Sequence, residues 1–208
     1  MTTPESSLRA DIVEVGRRMY ARGYTASNDG NISVRLGADR LLMTPKSVCK
    51  GFMTPDMMCI TDLTGKKLQG DRDPSTEMLM HLEVYRQRPD VRAVVHAHPP
   101  YATALTMMCG GEARFDNYEI AKGLGVPAPW SVHVPVFENH PEVSEIAADI
   151  ARYYARAEHA PPALLIARHG VTAWGPDLQT ARNRLECLES LCQLALLTGA
   201  YPEKERTP

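Results

Sequence analysis

Residues 8–22 carry Leu8, Ile12, Val15 and Met19 at helical spacing. That predicts an amphipathic helix with one face on a core, and Gly23 supplies its stop. The period then shortens to two. Residues 32–36, 40–44 and 57–63 alternate as half-buried strands do. The first two are close enough to form a hairpin, and Thr64-Gly65 closes the third. Helical spacing returns over 75–88, followed by the apolar run 91–98, which reads as a central strand.

The second half repeats the alternation. Residues 101–108 read as a helix ending at Gly110-Gly111, and 117–124 as a second short helix. Residues 132–137 alternate as a strand. A helix follows over 141–157, with Asn139 as its candidate N-terminal cap and Pro141 in the first turn, where a missing N–H costs little. Residues 163–168 and 171–174 are two strands split by His169-Gly170. The last helix, 178–197, is the most regular: Leu178, Ala181, Leu185, Leu188, Cys192 and Ala195 form one apolar stripe. Strands alternate with helices, yet several neighbouring strands form hairpins. The expected fold class is therefore α/β, with a mixed sheet covered by helices.

Composition narrows the class without naming a function. At 208 residues the chain is expected to be one domain with an ample core. The net charge of -2 and the absence of a basic stripe argue against nucleic acid as a partner. No apolar run reaches the roughly 18 residues of a membrane span, and the start, MTTPESSLRADIVEV, lacks the pattern of a secretory signal. Five scattered cysteines without a CxxC pair read as reduced thiols of a cytoplasmic protein.

The chemistry concentrates in residues 74–99, PSTEMLMHLEVYRQRPDVRAVVHAHP. Side chains two apart on a strand share a face, so His96 and His98 point the same way. Two imidazoles on a rigid strand begin a zinc or other transition-metal site, which needs three or four converging ligands. Glu77 stands at the start of the preceding helix. His169, after the buried-looking strand at 162–167, is the best distant candidate, and His81 is nearer in sequence but sits in mid-helix.

The wider pattern of PSTE, a helix, PDVRAVVHAHP and a distant HG resembles the class II aldolase/adducin family, from about residue 23 to 197. The resemblance implies a three-layer α/β/α fold with a central mixed, largely antiparallel sheet. It also implies a cyclic homotetramer with active sites between subunits, and a divalent metal, zinc foremost, held by Glu77, His96, His98 and His169. Ser75 and Thr76, at a helix start that suits anions, and Asn31 become contacts for a substrate phosphate. Their plainer roles are a helix cap for Ser75 and a turn for Asn31. The family usually has a Ser/Thr-Gly pair after the second strand. Here the match is Thr44-Pro45-Lys46-Ser47, with Ser47 in place of Gly, and Lys46 either reaches the phosphate as a point charge or is a surface lysine.

Tyr118-Glu119-x-x-Lys122 and the later Val-Pro-Val-Phe-Glu-Asn and His-Gly-x-x-x-Trp-Gly runs are similar to the family's methylthioribulose-1-phosphate dehydratase branch. The expected activity is a lyase reaction on a ketose 1-phosphate through an enediolate, in methionine salvage. Glu119 would protonate the C4 hydroxyl, with Glu77 the runner-up. The alternative is an aldolase of the L-fuculose-1-phosphate kind, releasing dihydroxyacetone phosphate and an aldehyde, in which Tyr118 or Glu77 acts at C4. Taken without the resemblance, Glu119 is a helix-surface acid paired with Lys122. Tyr101, Met107, Met108, Phe115 and Trp130 could line a pocket for a methylthio group or simply pack the core. A non-enzymatic interaction protein like the adducin head would have lost metal ligands, and here all four are present.

Overall fold

The computed structural model of the protein describes residues 4–157 and 159–201. Nine strands form one sheet in the order β4-β3-β2-β1-β5-β9-β8-β7-β6. They are β1 (Asn31–Leu36), β2 (Arg40–Met43), β3 (Cys59–Asp62), β4 (Lys67–Gln69), β5 (Ala93–Ala97), β6 (Glu112–Phe115), β7 (Val132–Phe137), β8 (Ala163–Ile166) and β9 (Gly170–Gly175). Every neighbouring pair is antiparallel except β7 with β8, which is parallel. The helices are α1 (Glu5–Ala21), α2 (Met78–Gln87), α3 (Pro100–Leu105), α4 (Val143–Tyr154) and α5 (Leu178–Leu197).

The layers follow from the two-residue period of the strands. Ile32, Val34, Ala93, Val95, Ala97, Leu165 and Val171 point to one face, where they pack with Ile12, Met19, Leu185, Leu188 and Cys192 of α1 and α5. Their neighbours Val94, Leu164, Ile166 and Trp174 point to the other face, against Met80, Leu82, Ile146 and Ile150 of α2 and α4. The mixed, largely antiparallel three-layer α/β/α arrangement is the expected one. Burying an Ile, Leu or Val side chain contributes roughly 1.5–3 kcal/mol. Two cores of that kind can hold strand ends and loops in conformations that would not persist alone.

Several expected boundaries move. The helix anticipated over 75–88 starts at Met78, with Ser75, Thr76 and Glu77 in the turn before it. Residues 117–124 hold a 3-10 turn from Glu119 to Leu124 in place of an α-helix. The helix expected over 141–157 spans Val143–Tyr154, and the residue before it is Glu142 rather than Asn139. Two strands carry no sequence signal: β4 is three exposed residues, Lys67, Leu68 and Gln69, at the sheet edge, and β6 is a short strand against β7. Among the described residues, no helix is long and apolar enough to cross a membrane.

Candidate metal centre

Strand register builds the site. His96 on β5 stands opposite Asn31 of β1 on one side and Thr172 of β9 on the other. The Thr172 hydroxyl lies 3.0 Å from His96 Nδ1, and the Asn31 side-chain amide donates to Glu77 Oε2 at 2.5 Å. One residue beyond β5, the His98 backbone N–H donates to Tyr24 O at 2.9 Å, which continues the extended backbone so that both imidazoles share a face. His169 comes from the tight β8–β9 turn, where Arg168 adopts a left-handed φ of 57°. A Cβ added to Gly170 would lie 2.2 Å from Ala97 O and 3.0 Å from His98 Cδ2. Only glycine lets the two chain segments approach so closely.

Glu77, His96, His98 and His169 each offer one ligand atom, and these atoms all lie within 4.8 Å of one another. His96 Nε2 is 3.0 Å from His98 Nε2, and Glu77 Oε1 is 2.9 Å from His169 Nε2. The far nitrogen of each ring meets an oxygen: His96 Nδ1 meets Thr172 Oγ1, His98 Nδ1 meets Asp29 Oδ2 at 3.3 Å, and His169 Nδ1 meets Asn139 Oδ1 at 3.2 Å. The Asn139 and Asp29 oxygens only accept, so Nδ1 of His169 and of His98 carries the hydrogen, while the Thr172 hydroxyl can either accept from His96 Nδ1 or donate to it. The Nε2 atoms of His98 and His169 are then bare lone pairs, and His96 Nε2 lies in the same cluster. With Thr172 accepting from His96 Nδ1, the His96 and His98 Nε2 atoms, 3.0 Å apart, both present lone pairs, and this donor set fits a divalent metal. An N3O set backed by hydrogen-bonding side chains suits a divalent transition metal.

Electrostatics agree. Burial acts to raise the Glu77 pKa, but His96, His169 and His98 outweigh it and hold the carboxylate well below its ordinary range. Burial lowers the pKa of His96 and His98, the latter with help from His169, which favours the neutral imidazole that a metal takes. His81, one turn beyond Glu77, is no ligand. Its Nδ1 lies 2.7 Å from Ser33 Oγ inside the core, and burial pushes its pKa down to about 3.

The phosphate candidates surround this cluster unevenly. Ser75 Oγ accepts the Glu77 N–H at 3.3 Å, the cap alternative. Asn31 is 1% exposed, with one N–H committed to Glu77 and Oδ1 buried without a partner. Lys46 and Ser47 are both exposed; Ser47 has φ 58°, the left-handed backbone in which glycine costs least. The serine thus occupies a glycine conformation. Thr76 is exposed, in the turn that precedes α2.

The structure does not bring Glu119 or Tyr118 to the metal cluster within one chain. Glu119 is exposed, pairs with Lys122 at 2.7 Å, and takes its lowered pKa from that bond. Tyr118 is half-buried and lines a separate cleft with Met108, Arg114, Tyr153 and Tyr201. Of the apolar candidates, Phe115 is core, at 1% exposure, and Met107 is 60% exposed. Sequence reasoning misses three residues in contact with the ligands. Asp29 lies in a run that reads as turn chemistry, Asn139 reads as a helix cap, and Thr172 becomes visible only once the β5–β9 register is known.

Comparison with known proteins follows the same lines. The profile of the Class II Aldolase and Adducin N-terminal domain matches residues 10–196. A protein from Nocardia farcinica, whose name joins a methylthioribose-1-phosphate isomerase to a methylthioribulose-1-phosphate dehydratase, is 42% identical over 91% of this chain; the chain spans only 35% of that longer protein. A methylthioribulose-1-phosphate dehydratase from Methylococcus capsulatus is 35% identical over 89% of this chain and 91% of its own length. Among solved structures, the L-fuculose-1-phosphate aldolase of Thermus thermophilus superposes with a TM-score of 0.77 at 29% identity, covering 95% of this chain and 98% of that one.

Proposed function

The chain belongs to the class II aldolase and adducin N-terminal domain family, and from that premise we propose that it is a zinc-dependent lyase that dehydrates 5-methylthioribulose 1-phosphate. The observation that carries the reading is the cluster of three Nε2 atoms and one carboxylate, each ring backed by a side-chain oxygen. Relatives named for this dehydration, aligned over about nine-tenths of the chain, support the choice of substrate.

Glu77, His96, His98 and His169 hold the ion. Zinc, when bound, supplies a Lewis acid for the C2 carbonyl and C3 hydroxyl oxygens. Ser75, Thr76, Asn31, Ser47 and Lys46 face the phosphate, the second Asn31 N–H being left for it beside the one given to Glu77. The C3 proton and the C4 hydroxyl leave together as water, and the resulting enol tautomerises to a 2,3-diketone. A carboxylic acid must protonate the departing C4 hydroxyl. Glu119 takes that role, with Tyr118 beside it. Its solvent-facing position, paired with Lys122, suits an acid delivered to the site of a neighbouring subunit in a homotetramer. The absence of a spanning helix among the described residues is consistent with a cytoplasmic enzyme of methionine salvage.

Proton and phosphorus NMR of the products tests the proposal on zinc-loaded enzyme given methylthioribulose 1-phosphate. A diketone phosphate is expected. Dihydroxyacetone phosphate with an aldehyde would overturn dehydration in favour of the aldol cleavage named for the Thermus thermophilus neighbour.

A further inference from the structure

Among the described residues, Lys50 is one of the largest side chains with essentially no exposure, at 1%. It follows β2, at the start of a 3-10 turn from Lys50 to Phe52. An ammonium is expensive to bury unless it is hydrogen-bonded and its charge is answered. Its hydrogen bonds go to two backbone carbonyls, Val48 O at 2.6 Å and Asn28 O at 3.2 Å. Those carbonyls belong to two different loops.

The first loop runs from α1 to β1. Asn28 adjoins Asp29, whose Oδ2 meets His98 Nδ1, and the loop ends at Asn31, which holds Glu77. The second runs from β2 to Lys50 and contains Ser47 in its left-handed conformation. Lys50 is therefore the tie between the segment that orients a metal ligand and the segment that faces the substrate phosphate. Its own backbone is fixed from behind. A Cβ added to Gly16 of α1 would meet Lys50 O at 3.1 Å, and one added to Gly51 would meet the Tyr20 ring at 2.5 Å.

The charge is only partly answered within the chain. Burial lowers the Lys50 pKa, while Asp29, Cys49 and Glu77 act in the opposite sense without any of them forming an ion pair with it. Glu77 and Asp29 are themselves engaged by imidazoles. A cation held behind an anion site, with its nearby carboxylates already engaged, favours an incoming anion.

We propose that Lys50 is a positioning residue of the phosphate site: its ammonium draws the Asn28 and Val48 carbonyls together, and so fixes the two loops around the anion while supplying positive charge behind them. This rests on the phosphate assignment made above. It does not require that the substrate be methylthioribulose 1-phosphate.

The test is a calorimetric titration of inorganic phosphate into the zinc-loaded full chain, for the parent, Lys50→Met and Lys50→Gln. The parent should bind phosphate. Both variants should bind at least about tenfold more weakly, since a charge-assisted arrangement is lost, while retaining stoichiometric zinc and a cooperative unfolding transition. Lys50→Gln keeps an N–H donor, so weaker binding there isolates the charge. Parent-like phosphate affinity in both variants would overturn the proposal. Variants that cannot be isolated folded would make Lys50 a core support, and would overturn it too. A parent that binds no phosphate would instead overturn the phosphate assignment itself. That result is distinct from failed dehydration, because the titration requires no turnover.

Discussion

Asn139 and His169, 30 residues apart in the chain, meet Oδ1 to Nδ1 at 3.2 Å. The contact decides which His169 nitrogen carries the proton. An amide oxygen only accepts, so Nδ1 holds the hydrogen and Nε2 is left bare toward Glu77. Leucine at 139 has nearly the same shape and no acceptor. Asn139→Leu should weaken zinc binding ~10- to 100-fold, the usual effect of losing a partner behind a metal ligand. Asn139→Asp, which keeps an acceptor, should bind zinc as the parent does. Competition with a chelator measures both, and equal zinc affinity in the leucine variant would remove Asn139 from the site.

Metal binding and acid chemistry should separate by mutation. His96 has Glu77 Oε2 3.7 Å and His98 Nε2 3.0 Å from its Nε2, so His96→Ala should lose zinc and turnover together. Among the described residues, Glu119 makes its ion pair with Lys122. Glu119→Gln should keep full zinc and lose dehydration by ~10²- to 10⁴-fold, the range of a general acid. If the acid is supplied by a neighbouring subunit, co-assembly of the two inactive variants should restore measurable turnover. Mixed oligomers without activity would place the acid elsewhere.

Ser47 carries a cost that glycine would not. At φ 58° its Cβ crowds the backbone, a penalty of roughly 1–2 kcal/mol for an L-residue, set against about 1 kcal/mol of extra chain entropy that glycine loses on folding. Ser47→Gly should therefore be as stable as the parent or up to about 1 kcal/mol more so, by urea unfolding. Ser47→Val, whose branched side chain tolerates this backbone poorly, should be clearly less stable. A glycine variant much weaker than the parent would mean that the serine hydroxyl holds the loop.

The layers are legible in the sequence because both periods are strong where both faces are buried: β5 alternates Val94 with Ala93 and Val95, and the two sets reach different cores. Lys67–Gln69 is an exposed edge with no apolar alternation to read. The four metal-cluster residues are legible from the HxH spacing together with the family resemblance. Their partners are not. Asn139 is recognisable as a hydrogen-bonding residue, but a capping side chain and one that orients histidine have the same chemistry, and only the fold shows which group receives the bond. Thr172 depends on a register, and the burial of Lys50 contradicts the usual preference of lysine for water.

His81 gives the apo-protein a pH dependence whose sign is set by burial. Its Nδ1 lies 2.7 Å from Ser33 Oγ, and Tyr85 donates to Ser33 O at 3.1 Å. Burial drops the folded-state pKa to about 3; an unfolded histidine titrates near 6.5. The folded form thus binds fewer protons, so stability is complete above about pH 6.5 and falls as acid is added, down to the folded pKa. At pH 5 the loss from this one residue is about 2 kcal/mol, roughly 1.5 pH units at about 1.36 kcal/mol each. His96 and His98 are lowered by burial as well and add loss of the same sign. Metal-free protein should therefore unfold at lower urea at pH 5 than at pH 7.5. His81→Leu, whatever its own stability, should show a smaller difference between the two pH values. A parent equally stable at both, or a leucine variant with the full difference, would mean that His81 is protonated in the fold and that its bond to Ser33 is charged.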